Sequence, residues 1–392
     1  MKNAQSALPT GRGSRELRAH STRESRMRFI SASFACSVAI AATSSGQVSA
    51  PRGLRVLDSV RVLESDTLFV SRPTQMVLGA RGNVYLTESR EARVLDIAPT
   101  GRINGVFGRK GRGPGEFESP SAITMLGDTV LAVYDHATKR VTLIDIQRWT
   151  LKRVSPLLTQ WLPAIKFYDG DLFVTSWDFE TKTSIARVVE GTGALEDRQG
   201  VIPSLGAQTQ MLITGAFWNG TFAPVGDQMF AMFEVSNSLY AWKRGAREAR
   251  EIALPVVRRR GVPPGLFGTL LQDPAKATPA MLLDRSAPVA IAPVSADIVG
   301  IVTVDAKVTS EQWSGVHYLT LYDHRRNRVC ADVPVPASQI KVALMDPLPI
   351  VALHGDILAL LEQAVDQAGD PVQLLRRYRI EPSQCAWTAI AR

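Results

Sequence analysis

One pattern constrains the fold of this chain more than any other: a turn residue, a short run rich in β-branched and apolar residues, then an acid. It occurs as Gly82–Glu88 (GNVYLTE), Gly127–Asp135 (GDTVLAVYD), Gly170–Asp178 (GDLFVTSWD), Gly226–Glu234 (GDQMFAMFE), Ala296–Asp305 (ADIVGIVTVD) and Gly355–Glu362 (GDILALLE). Successive copies start 45, 43, 56, 70 and 59 residues apart. A short apolar run precedes each copy, as at Ala122–Leu126 or Ile350–Leu353, and an alternating run follows, as at Val141–Ile146 or Leu374–Ile380. A fourth run comes after several copies, at Ile103–Phe107, Leu151–Val154 and Ala249–Leu254. Repeats of this length mark a unit that cannot bury its own faces and must stack on its neighbours.

Four short strands per unit, Gly/Asp turns between them and no long amphipathic helix predict an all-β chain, a six-bladed β-propeller of four-stranded antiparallel blades. The domain spans residues 51–392. Blades pack face to face around an axis, and closure of the ring protects the terminal edges. Leu54–Leu63 (LRVLDSVRVL) is placed to become the outer strand of the last blade, and Cys385–Ile390 competes for the same slot.

Between the first two units the chain reads GRKGRGPGEFESP over Gly108–Pro120. Gly111, Gly113, Gly115, Phe117 and Pro120 match a G-x-G-x-G-x-F-x-x-P blade connection, and Glu88 with Arg93 and Asp135 with Arg140 match an acid–base pair across the second hairpin. In these residues the chain resembles the NHL-type six-bladed β-propeller family. The likeness is concentrated in residues 72–154; further on, the glycine connection is lost and strand rhythm alone continues it. For these positions the resemblance implies structural roles. Glycines allow positive φ where the chain swings to the next blade, and Phe117 plugs the junction.

The first fifty residues read differently. Seven basic and two acidic residues fill Met1–Arg28, which holds most of the chain's net charge of +8, and the apolar run Phe29–Thr43 and small residues follow. That is a signal-peptide layout, and the run is shorter than the roughly 20 residues a transmembrane helix needs. Residues 1–50 are therefore expected to be a leader and extension, with Met27 as an alternative start. The mature chain is expected in the periplasm or outside the cell, without a transmembrane helix. Cys36 offers a lipid-anchored alternative, although Ser33 and Phe34 fit a lipobox poorly. Two cysteines then remain, Cys330 and Cys385, which an oxidising compartment allows to join; two buried thiols are the alternative. The mature body carries too little excess charge to call for nucleic acid.

Catalytic and metal signatures are scarce: no HExxH, paired CxxC, GxSxG or EF-hand loop is present. The glycine run lacks the GK[ST] of a phosphate loop and carries Glu116 where an anion would be repelled. Lactonase-like propellers hold a divalent cation with oxygen ligands along the axis. The innermost runs here instead supply Ala122, Ile123, Ile165, Ala223, Ala290, Ile291, Val351 and Ala352, with Gln75 the lone amide. No metal and no cofactor are expected, and no catalytic residue is assigned.

Candidate binding residues lie in the connections. Trp161 and Trp218 stand just before innermost strands, Arg258, Arg259 and Arg260 open the long insertion Pro255–Ser286, and His354 ends an innermost strand. A short helix is expected near Thr278–Arg285. The function expected is that of an exported, non-catalytic propeller binding a protein, peptide or glycan through its loop face. A propeller enzyme, a lactonase-like hydrolase or lyase working near the channel, is the alternative.

Overall fold

The computed structural model describes residues 52–157, 159, 164–178, 180–202, 220–234, 238–255, 258, 272–273, 286–308, 312–336, 340–343 and 349–390. Strand β1 (Leu54–Arg61) comes first and stands apart from the five complete blades that follow it. Blade 1 is β2 (Pro73–Leu78), β3 (Val84–Glu88), β4 (Arg93–Ile97) and β5 (Ile103–Phe107). Blade 2 is β6 (Pro120–Leu126), β7 (Val130–Asp135), β8 (Arg140–Asp145) and β9 (Thr150–Pro156). Blade 3 is β10 (Ile165–Tyr168), β11 (Asp171–Thr175), β12 (Thr183–Val188) and β13 (Leu195–Val201). Blade 4 is β14 (Gly220–Val225), β15 (Gln228–Phe233), β16 (Leu239–Lys243) and β17 (Arg250–Ile252). Blade 5 is β18 (Ser286–Pro293), β19 (Ile298–Val308), β20 (Gln312–Asp323) and β21 (Arg328–Pro334), to which β22 (Ile340–Ala343) is added beside β20. Blade 6 is β23 (Ile350–His354), β24 (Ile357–Val365) and β25 (Pro371–Ile380), completed by β1.

Ring closure therefore falls to the N-terminal strand. β1 runs antiparallel to β25 from Leu54 opposite Ile380 to Arg61 opposite Leu374. Arg377 reinforces it with two hydrogen bonds to Asp58, at 2.8 and 2.7 Å. The competing C-terminal segment goes elsewhere: β26 (Thr388–Ala389) pairs with Val329 and Arg328 on the outer strand of blade 5. A disulfide between Cys330 and Cys385, with Cα atoms 5.8 Å apart, fixes it there.

Six apolar clusters hold the ring, one between each pair of adjacent blades. Leu131 and Val133 of β7 face blade 1 while Ala132 and Tyr134 face blade 3. Both faces of a blade are buried, which is why the run VLAVY before Asp135 does not alternate with polar residues. Leu86, Leu95 and Ile97 of blade 1 share a cluster with Leu361 and Leu375 of blade 6, so the first and last blades meet as any other pair does. The hairpin after each innermost strand turns tightly. At Gly127 and Gly355 φ is +57° and +55° with open space where a Cβ would stand, so backbone conformation alone calls for glycine there.

Candidate functional site

Strand direction alternates within a blade, so the hairpin between its second and third strands shares a face of the ring with the connection to the next blade. The hairpins between first and second strands open on the opposite face. The six innermost strands surround the axis and line a channel of about 320 Å³ that reaches the latter face at Gly127, Asp128 and His354.

Most of this wall is apolar. Third from the end of each innermost strand stand Met76, Thr124, Lys166, Ala223, Ile291 and Ala352, all of them lining the channel. Lys166 is the charged residue at this level. On β10, Ile165 and Phe167 pack toward blade 2, while Ala164 and Tyr168 pack toward blade 4. The two-residue period puts Lys166 with the latter pair, beside the strand that carries the small residues Thr221 and Ala223. Its side chain keeps some surface open to the channel, but protein encloses the charged end, and desolvation alone holds its pKa below the usual lysine range. Among the described residues no carboxylate pairs with it.

The wall described from sequence is thus incomplete, because Lys166, Thr124 and Thr221 belong to it as well. Gln75, the one amide, uses its Oε1 to accept a hydrogen bond from the backbone N–H of Ile123 at 2.7 Å, which joins blades 1 and 2. Asp128 is exposed at the mouth, as is His354. Among the described residues no group of three or more His, Cys, Asp or Glu is placed to hold a metal ion, and no helix is long and apolar enough to cross a membrane.

The glycine connection carries its own anion. Glu116 accepts a hydrogen bond from the Gly113 N–H at 2.8 Å and pairs with Arg109 at 2.9 Å, and these contacts hold its carboxyl below the usual range. Phe117 lies fully buried between blades 1 and 2, edge-on to Phe107. Gly111 and Gly115 have positive φ, and Gly113 does not. Pro120 begins β6.

On the connection face the ring departs from sixfold regularity at blade 5. β19 and β20 stay paired past Asp305, where β18 begins, through Ala306 with Gly315 to Val308 with Trp313. Three further pairs extend this hairpin about 10 Å beyond the innermost strand, and β22 lies along it from Gly315 to Gln312. Arg258, at the start of the long insertion, docks on the same blade. Its N–H bonds to Asp332 at 3.3 Å and its guanidinium lies 5.9 Å from the Tyr318 ring centre. Trp161, Trp218, Arg259, Arg260 and the segment 278–285 lie outside the described residues.

No protein-family model matches the chain, and no curated protein matches it. Solved structures do resemble it. A member of the DUF4221 family from Bacteroides vulgatus superposes with a TM-score of 0.54 at 8% identity, over 84% of this chain and 99% of that one. Virginiamycin B lyase from Staphylococcus aureus superposes with a TM-score of 0.44 at 12% identity, over 84% and 100%. The likeness to the first is one of fold: this chain is a six-bladed β-propeller.

Proposed function

We propose that this chain is an exported, non-catalytic propeller of NHL type that binds a protein, peptide or glycan through its connection face. The observation that carries the reading is the elaboration of blade 5. The lengthened β19–β20 hairpin, the added strand β22 and Arg258 all gather on blade 5 of the ring. A long paired hairpin presents a rigid surface at low entropic cost, which suits recognition. Export is supported by the leader-like first fifty residues and by the Cys330–Cys385 disulfide, a bond that persists in oxidising compartments.

Affinity capture from an envelope or culture-fluid extract, run beside a glycan array, tests this reading. The protein should retain a defined ligand. Joint replacement of Arg258, Arg259 and Arg260 by alanine, or shortening of the hairpin between Ala306 and Gly315, should abolish retention. Retention unchanged in both variants would remove the connection face from consideration.

A further inference from the structure

We propose that the central channel is a second binding site, for a small apolar anion: a carboxylate on a hydrocarbon body, with the carboxylate paired to Lys166. Three features of the channel point the same way. Its wall offers the partly exposed apolar side chains of Val77, Met125, Phe167, Val289 and Leu353, a lining that suits a hydrocarbon. Lys166 belongs to this lining and has no ion-pair partner among the described residues, and a buried charge is costly until a counter-charge joins it. Thr124 and Thr221, on the flanking innermost strands, add hydroxyl-bearing side chains to the same channel lining.

Charge count sets the class of ligand. Among the described residues, one cation in the lining and one carboxylate, Asp128, at the open mouth favour a monoanion over a phosphate or a dicarboxylate. A neutral molecule of the same shape would leave the ammonium unpaired. An incoming carboxylate stabilises the charged form of Lys166 and so opposes the desolvation that depresses its pKa. This site lies apart from the connection face, and neither reading depends on the other.

Octanoate, octanol and octylammonium share one tail and differ in charge, so titration calorimetry with the three separates the contributions. Octanoate should bind the native protein about tenfold or more tightly than octanol, the difference expected of a hydrogen-bonded charged pair, and octylammonium should not bind. Lys166→Met keeps the length and apolar stem of the side chain and should erase the preference for octanoate. The same variant should leave capture by the connection face intact. Equal affinity of the native protein for octanol and octanoate would overturn the proposal, and that comparison needs no variant. Undiminished octanoate binding by Lys166→Met would overturn it equally.

Discussion

Glu88 and Asp135 end the second strands of blades 1 and 2, and each looks backward along the chain for its partners. Glu88 accepts hydrogen bonds from the N–H groups of Ser71 and Arg72 at 2.6 and 3.0 Å. Asp135 accepts them from Glu118 and Ser119 at 2.6 and 3.1 Å. In both blades these donors lie 17 and 16 residues earlier, in the connection that enters the blade. The carboxylate thus ties the incoming chain to the hairpin, a role that the five-residue acid–base spacing does not reveal. The basic partners diverge. Arg93 donates to Glu88 at 2.7 Å and to the Phe69 carbonyl at 2.7 Å, and it is largely buried. Arg140 faces Asp135 across the ladder without forming an ion pair with it. Arg93→Ala should therefore cost about 3 kcal/mol in urea unfolding, as breaking a buried pair does, and Arg140→Ala about 0.5 kcal/mol or less. Equal losses would mean that the pairing in blade 1 contributes nothing beyond an exposed contact.

Two terminal segments clasp the ring, and they do so with different kinds of bond. β1 adds a full outer strand to blade 6 and continues past it, where the Leu63 N–H donates to the Gly101 carbonyl of blade 1 at 2.9 Å. Without β1, β25 would present an unpaired edge, the usual template for aggregation. β26 is only two residues long and depends on the Cys330–Cys385 bond and on Arg328, whose guanidinium lies 4.5 Å from the Trp387 ring centre. The disulfide closes a loop with a sequence separation of 55, for which chain entropy gives about 4 kcal/mol. Joint replacement of Cys330 and Cys385 by alanine should lower stability by about 2–4 kcal/mol and leave the strand content intact by circular dichroism. Removal of the chain through Arg61 should abolish the folded ring itself. A disulfide-free variant that loses its strands as well would make β26 the principal clasp.

The ring as a whole explains which features could be read from the chain and which could not. Strand rhythm was legible because each blade is sandwiched, so runs such as VLAVY are apolar on both faces. Lys166 was not: within IKFY it reads as ordinary alternation on a short strand, and only the convergence of six strands around the axis encloses its ammonium. Blade 5 misled for a related reason, since the run ADIVGIVTVD ends at an acid as the other copies do while β19 continues to Val308. Its continuation pairs with β20 and lies beside β22, a strand supplied by the following connection. Mechanical coupling follows from the same closure. Each blade shares an apolar cluster with both neighbours, so a defect at one interface removes support from two blades, and the ring offers no free end at which unfolding can begin. Leu375→Ala, in the cluster between blades 6 and 1, should cost about 3 kcal/mol and shift one calorimetric transition downward without dividing it. Two separated transitions would instead show blades melting as independent repeats, the behaviour of an open array whose ends do not meet.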